Sequence, residues 1–90
     1  MIIINGYAEN NGKKQQMQKV QCETIEEAKE KIEKSINEVE NGYNKVLEPQ
    51  GLGKVSKLVI ETHNQIIIEF TNEYILPTTY VMTLEKVEDK

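Results

Sequence analysis

Apolar residues recur at helical spacing in one stretch of this chain and at strand spacing through most of the rest. Ile25, Ala28, Ile32, Ile36 and Val39 are separated by three or four positions, which lays one narrow apolar stripe along a helix. Thr24 stands in front of that stripe as an N-cap, and Glu27 three residues later completes a capping box. Glu26 and Glu27 favour the positive end of the helix dipole, and Glu27–Lys31 and Glu30–Lys34 pair along the wet side. Asn41-Gly42 is the expected stop, with Gly42 as a left-handed C-cap. An aliphatic stripe of this width predicts a helix lying on a sheet.

The strands are predicted on either side of it. Residues 2–8 have strand composition, and Asn11-Gly12 suits the tight turn of a hairpin whose returning arm spans residues 13–23. That arm is polar, with only Met17, Val20 and Cys22 for apolar grip, so its first half is expected to be exposed or poorly ordered. After the helix, residues 55–62 and 65–71 flank a turn at Thr62-His63-Asn64-Gln65. Residues 71–73 form a second turn and residues 80–87 a last strand. Pro77 cannot donate to a central ladder, which predicts a separate short edge strand in "YILPTT". The reading is an α+β fold in the order ββαβββ. One helix packs on one face of an antiparallel or mixed sheet of four to five strands.

A hairpin feeding the Thr-capped helix "ETIEEAKEKI" resembles the opening of β-grasp, ubiquitin-like domains over roughly the first 40 residues. The resemblance implies a β-grasp-like fold. The chain ends "EKVEDK", without the Gly-Gly tail that ubiquitin-type conjugation uses, so the resemblance carries no conjugation role.

Composition narrows the function classes. Ninety residues make one domain, residues 1–90, with a modest core. Apolar runs are short, as in Ile2-Ile3-Ile4, far below the roughly 20 residues that cross a bilayer. The first residues also lack the basic start and apolar core of a signal peptide. The expected location is the cytoplasm, in keeping with a lone cysteine, Cys22. All eleven basic residues are lysine and the net charge is −4. Without arginine forks the chain is poorly suited to reading nucleic acid. A chain rich in Lys, Ile, Asn and Glu and free of Arg and Trp fits an AT-rich genome, such as that of a low-GC bacterium or its phage.

Candidate chemistry is sparse. Gly51-Leu52-Gly53-Lys54 looks like part of a phosphate loop, but such a loop needs strand, then glycines, then helix, and here the order is reversed. No Ser or Thr follows Lys54 directly. Cys22 and His63 are the one conventional nucleophile–base pair, and they lack an orienting third residue. They are too few for a zinc site. More than half of the fifteen acidic residues lie between Glu23 and Glu48, as a solvated helix face would carry them, and Asp89 is the only aspartate, which argues against a calcium loop. No enzyme activity, metal or cofactor is expected.

The stronger signal is apolar content on both strand faces. If Leu58-Ile60, Ile66-Ile68-Phe70 and Tyr80-Met82-Leu84 point at the helix, alternation sends Val59, Ile67, Val81 and Thr83 to the other side. Ile3, with Met17 or Tyr7, joins them. A sheet with one wet face would alternate more cleanly. Either a partner covers this second face or the connector at residues 42–54, with Tyr43, Val46, Leu47 and Leu52, folds over it. The expected function is therefore a non-catalytic protein-binding module that forms a homodimer and serves as a phage or mobile-element accessory protein inhibiting a host protein. Its contact residues would be Tyr43, Leu47, Leu52, Val59, Ile67 and Val81. The alternative is a small-ligand, nucleotide-type binder using Tyr43, Lys45, Gly51, Gly53 and Lys54.

Overall fold

The computed structural model describes residues 1–88; Asp89 and the final lysine lie outside the described residues. The capped stripe forms helix α1, Ile25–Leu47. The Thr24 hydroxyl accepts from the Glu27 N–H at 3.1 Å, and the Glu27 carboxylate accepts from the Glu23 N–H at 3.1 Å, so the capping box closes in both directions. Lys31 reaches Glu27 at 3.5 Å on the wet side.

The helix does not stop at Asn41-Gly42. The stripe continues through Tyr43 and Leu47, four residues apart, and Leu47 is buried. Burying those two side chains outweighs the roughly 1 kcal/mol that a mid-helix glycine costs. A single 3-10 turn, Glu48–Gln50, follows with Pro49 inside it, and Gly51 ends it at φ 73°. The connector expected at residues 42–54 is therefore mostly helix. The short remainder is pinned by side-chain amides. Asn44 Oδ1 accepts from the Val55 N–H at 2.9 Å, and Asn72 Nδ2 donates to the Leu52 and Lys54 carbonyls at 3.2 and 3.1 Å.

The strands are β1 (Ile2–Asn10), β2 (Lys13–Gln16), β3 (Val20–Cys22), β4 (Ser56–Glu61), β5 (Gln65–Asn72) and β6 (Ile75–Lys86). They form one antiparallel sheet in the order β2-β1-β6-β5-β4, with β3 also pairing β1. β2 and β3 share the outer edge of β1 as two halves of an interrupted strand. The Asn11-Gly12 turn has positive φ at both residues, 52° and 79°, as a type I′ turn requires. A β-grasp order is not established by this topology.

"YILPTT" is not a separate edge strand. It opens β6, a 12-residue strand paired with β1 on one side and β5 on the other. Pro77 is accommodated because β1 ends opposite Thr78, and because the β5–β6 register shifts between Phe70 and Asn72. The core lies between α1 and one sheet face. Ile2, Ile4, Ile66, Ile68, Phe70, Met82 and Leu84 meet Ala28, Ile32 and Ile36 there. Tyr43 and Tyr80 flank Phe70, with ring centroids 5.5 and 5.9 Å from it.

Candidate partner-binding surface

Among the described residues, no helix lies on the second face of the sheet. Cross-strand partners share a face, so the registers Tyr7↔Val81, Ile67↔Val81 and Ile60↔Ile67 put Tyr7, Val81, Ile67 and Ile60 in one row across β1, β6, β5 and β4. Leu58 lies beside that row on the same strand as Ile60. Ile67 and Val81 thus stand where the alternation placed them.

Val59 does not. It pairs with Ile68, which faces α1, so Val59 faces α1 as well, while Leu58 and Ile60 turn to the open face. The phase of β4 is the reverse of the expected one. Its charged positions explain the preference. Lys57 meets Glu40 at 3.5 Å and Glu61 meets Lys29 at 2.8 Å, so the two ends of β4 are tied to the helix. Met17 also packs against the helix-side core rather than on the open face.

The connector residues do not cover the open face. Leu47 is buried in the helix-side core, and Tyr43 and Leu52 pack against the same cluster. The Tyr43 hydroxyl donates to Thr78 Oγ1 at 3.0 Å, and Asn10 Nδ2 donates to the same oxygen at 2.7 Å. These three apolar residues pack into the helix-side core and not onto the open face. Lys45, Gly51, Gly53 and Lys54 are exposed, and Lys54 lies 3.7 Å from Glu48.

Cys22 is buried at the edge of the core and His63 is exposed in the β4–β5 turn. Strands β1, β6 and β5 intervene between β3 and β4, and with about 4.8 Å between neighbouring strands the two side chains do not form a dyad. No three His, Cys, Asp or Glu side chains among the described residues are grouped to hold a metal. Among those residues, no helix is long and apolar enough to cross a membrane.

Comparison with known proteins finds no matching family model, no similar curated protein and no similar solved structure. The geometry alone must carry the functional reading, and it is asymmetric. On the β1–β2 side the open face is closed by polar contacts. Gln16 Nε2 donates to Asn5 Oδ1 at 2.8 Å, Asn5 Nδ2 donates to Glu85 Oε1 at 3.3 Å, and the Lys14 ammonium sits 5.0 Å over the Tyr7 ring. On the β4 side no comparable contact among the described residues covers the apolar groups. Leu58, Val59 and Ile60 are 57%, 47% and 50% exposed, three consecutive large hydrophobics on a strand that ends the sheet. Sequence reasoning passed over Leu58 and Ile60. The signal for them was the two-residue turn at His63-Asn64. With Thr62 opposite Gln65, counting back along both arms pairs Val59 with Ile68 and leaves Leu58 and Ile60 on the other face.

Proposed function

We propose that this chain is a non-catalytic protein-binding module that meets its partner through the apolar row of the open sheet face and the adjoining strand β4. The observation that supports it is that Leu58 and Ile60, half exposed on an edge strand, are continuous with Ile67 and Val81, with Val59 half exposed on the other side of the same edge. Edge strands in solvent ordinarily avoid such runs because their free N–H and C=O groups invite another chain. A contiguous apolar surface of this kind marks an interaction site. In its biological setting we place the protein in the bacterial cytoplasm, as an accessory protein of a phage or mobile element in an AT-rich host. It would inhibit a host protein by occupying a surface of it.

The test is affinity capture from bacterial lysate, comparing the unaltered chain with an Ile67→Lys, Val81→Lys double variant whose folding is checked by circular dichroism. A specific protein retained by the first and lost by the second is the expected result. An identical set of captured proteins for both removes the reading. Elution of a nucleotide with the purified chain, recognised by its ultraviolet absorbance, would favour the small-ligand alternative instead.

A further inference from the structure

We infer that strand β4 is built to pair with the β4 of a second copy, antiparallel and centred on Val59. The inference rests on the protein-binding reading for its surface and goes beyond it in naming the occupant of the edge and the register.

The backbone sets the first condition. Thr62 N–H donates to the Gln65 carbonyl at 2.8 Å, which makes Thr62–Gln65 a hydrogen-bonded pair of the β4–β5 ladder. Such pairs alternate along an antiparallel ladder, so Ser56, Leu58 and Ile60 direct their backbone groups at β5. Lys57, Val59 and Glu61 direct theirs outward, and β4 ends the sheet. A second β4 therefore has to align odd-numbered positions with odd-numbered ones. Any other alignment mismatches the donors and acceptors and puts opposite faces together.

Side chains select among the alignments that remain. Centring on Val59 places Lys57 opposite the partner copy's Glu61, twice by symmetry, and Leu58 opposite the partner copy's Ile60, also twice. Shifting the centre to Leu58 puts Lys57 opposite Val59, and shifting it to Ile60 puts Glu61 opposite Val59. Only the Val59-centred register matches both charge and hydrophobicity. The intrachain ion pairs extend the match. Glu40 lies beside Lys57 and Lys29 beside Glu61, so each end of the interface reads Glu40, Lys57, Glu61, Lys29, alternating in sign across the two copies. On the open face, the two Leu58–Ile60 pairs fall at non-hydrogen-bonded positions, where facing side chains come closest. Charged residues usually protect an edge strand from pairing. Here they match a copy of the same strand in one register and not in the shifted ones, which makes them a specificity device.

The test is sedimentation of the full chain and its variants. The unaltered protein is expected at twice its 10.4 kDa chain mass. Lys57→Glu and Glu61→Lys should each sediment as monomers, since each sets like charges face to face. An equimolar mixture of the two should recover a dimer, because both cross-strand pairs are then opposite in sign. Val59→Pro removes an outward N–H that β5 does not use, and should be monomeric with an unchanged strand signal by circular dichroism. A monomeric unaltered chain would overturn the inference. So would dimers that survive Val59→Pro, or a mixture that fails to reassociate while both variants are folded. A strict monomer leaves partner capture through Ile67 and Val81 standing, whereas loss of that capture leaves self-pairing standing, so the two readings fail separately.

Discussion

Tyr80 shows how a single side chain is placed by the fold and what that placement does to its chemistry. Its ring stands edge-on to Phe70, half-buried under the helix, and its phenol pKa is raised above the ordinary value of 10.0. Burial is the main cause, because it disfavours the charged phenolate, and the neighbouring Tyr43 adds to it. Below pH 10 the phenol is neutral in both folded and unfolded chains and stability does not depend on it. Above that value the unfolded chain releases the proton first, so stability falls as pH rises through the folded pKa. Thermal melts from about pH 9 to about pH 11 should show this decline, and Tyr80→Phe should flatten part of it. An identical decline in the variant would assign the effect to other groups. At this scale the sequence was informative wherever a residue's neighbours are local. Thr24 caps the helix and Asn11-Gly12 turns the hairpin as read, because both depend on atoms within four residues. Tyr43 was misplaced because its partners, Phe70 and Thr78, lie far along the chain, and Leu47 because the core cluster it joins is completed by distant strands.

The length of α1 was decided by packing against a local preference. Asn-Gly is a good helix stop, but Tyr43 and Leu47 fall on the same stripe as Ile36 and Val39, and the sheet beneath them is long enough to receive them. Gly42 consequently sits inside the helix with a negative φ, exposed, and with nothing within 4 Å of where a Cβ would stand. Gly42→Ala should therefore stabilise the fold by about 0.5–1 kcal/mol, by denaturant titration at unchanged m-value. Had Gly42 been the left-handed cap that its sequence suggests, the same change would destabilise. The outcome separates the two helix lengths without a new structure. The phase of β4 teaches the complementary lesson. Hydrophobicity alone favours Leu58 and Ile60 as core residues, while the two-residue turn at His63-Asn64 fixes the register that turns them outward. Turn geometry was the firmer guide, since a slip of one residue reverses every side chain of a strand.

At the scale of the molecule, the one-helix, one-sheet architecture was readable because the chain holds a single helical stripe and several strand-period segments. Strand order was not, because adjacency between β1 and β6 joins the two ends of the chain through nine backbone pairs that no local signal announces. That order leaves β4 at one margin and the β2–β3 strand at the other, so the two edges differ in kind. Residues of β2 are polar and exposed, and Met17 to Gly6 is bonded across the interruption before β3, which blunts that margin. Strand β4 instead presents Leu58, Val59 and Ile60 in sequence on a regular edge. If that edge is closed by a second copy, folding and association are linked, and the melting temperature must depend on protein concentration. A tenfold increase changes the free energy of a dimer by about 1.4 kcal/mol, or about 0.7 kcal/mol per chain. For a domain of this size that amounts to a rise in Tm of about 3–6 °C. Differential scanning calorimetry over a hundredfold concentration range should resolve it. The slope should vanish in Lys57→Glu and shrink as salt screens the Lys57–Glu61 pairs of the partly exposed interface. A Tm independent of concentration in the unaltered chain would show that β4 remains an open edge in solution.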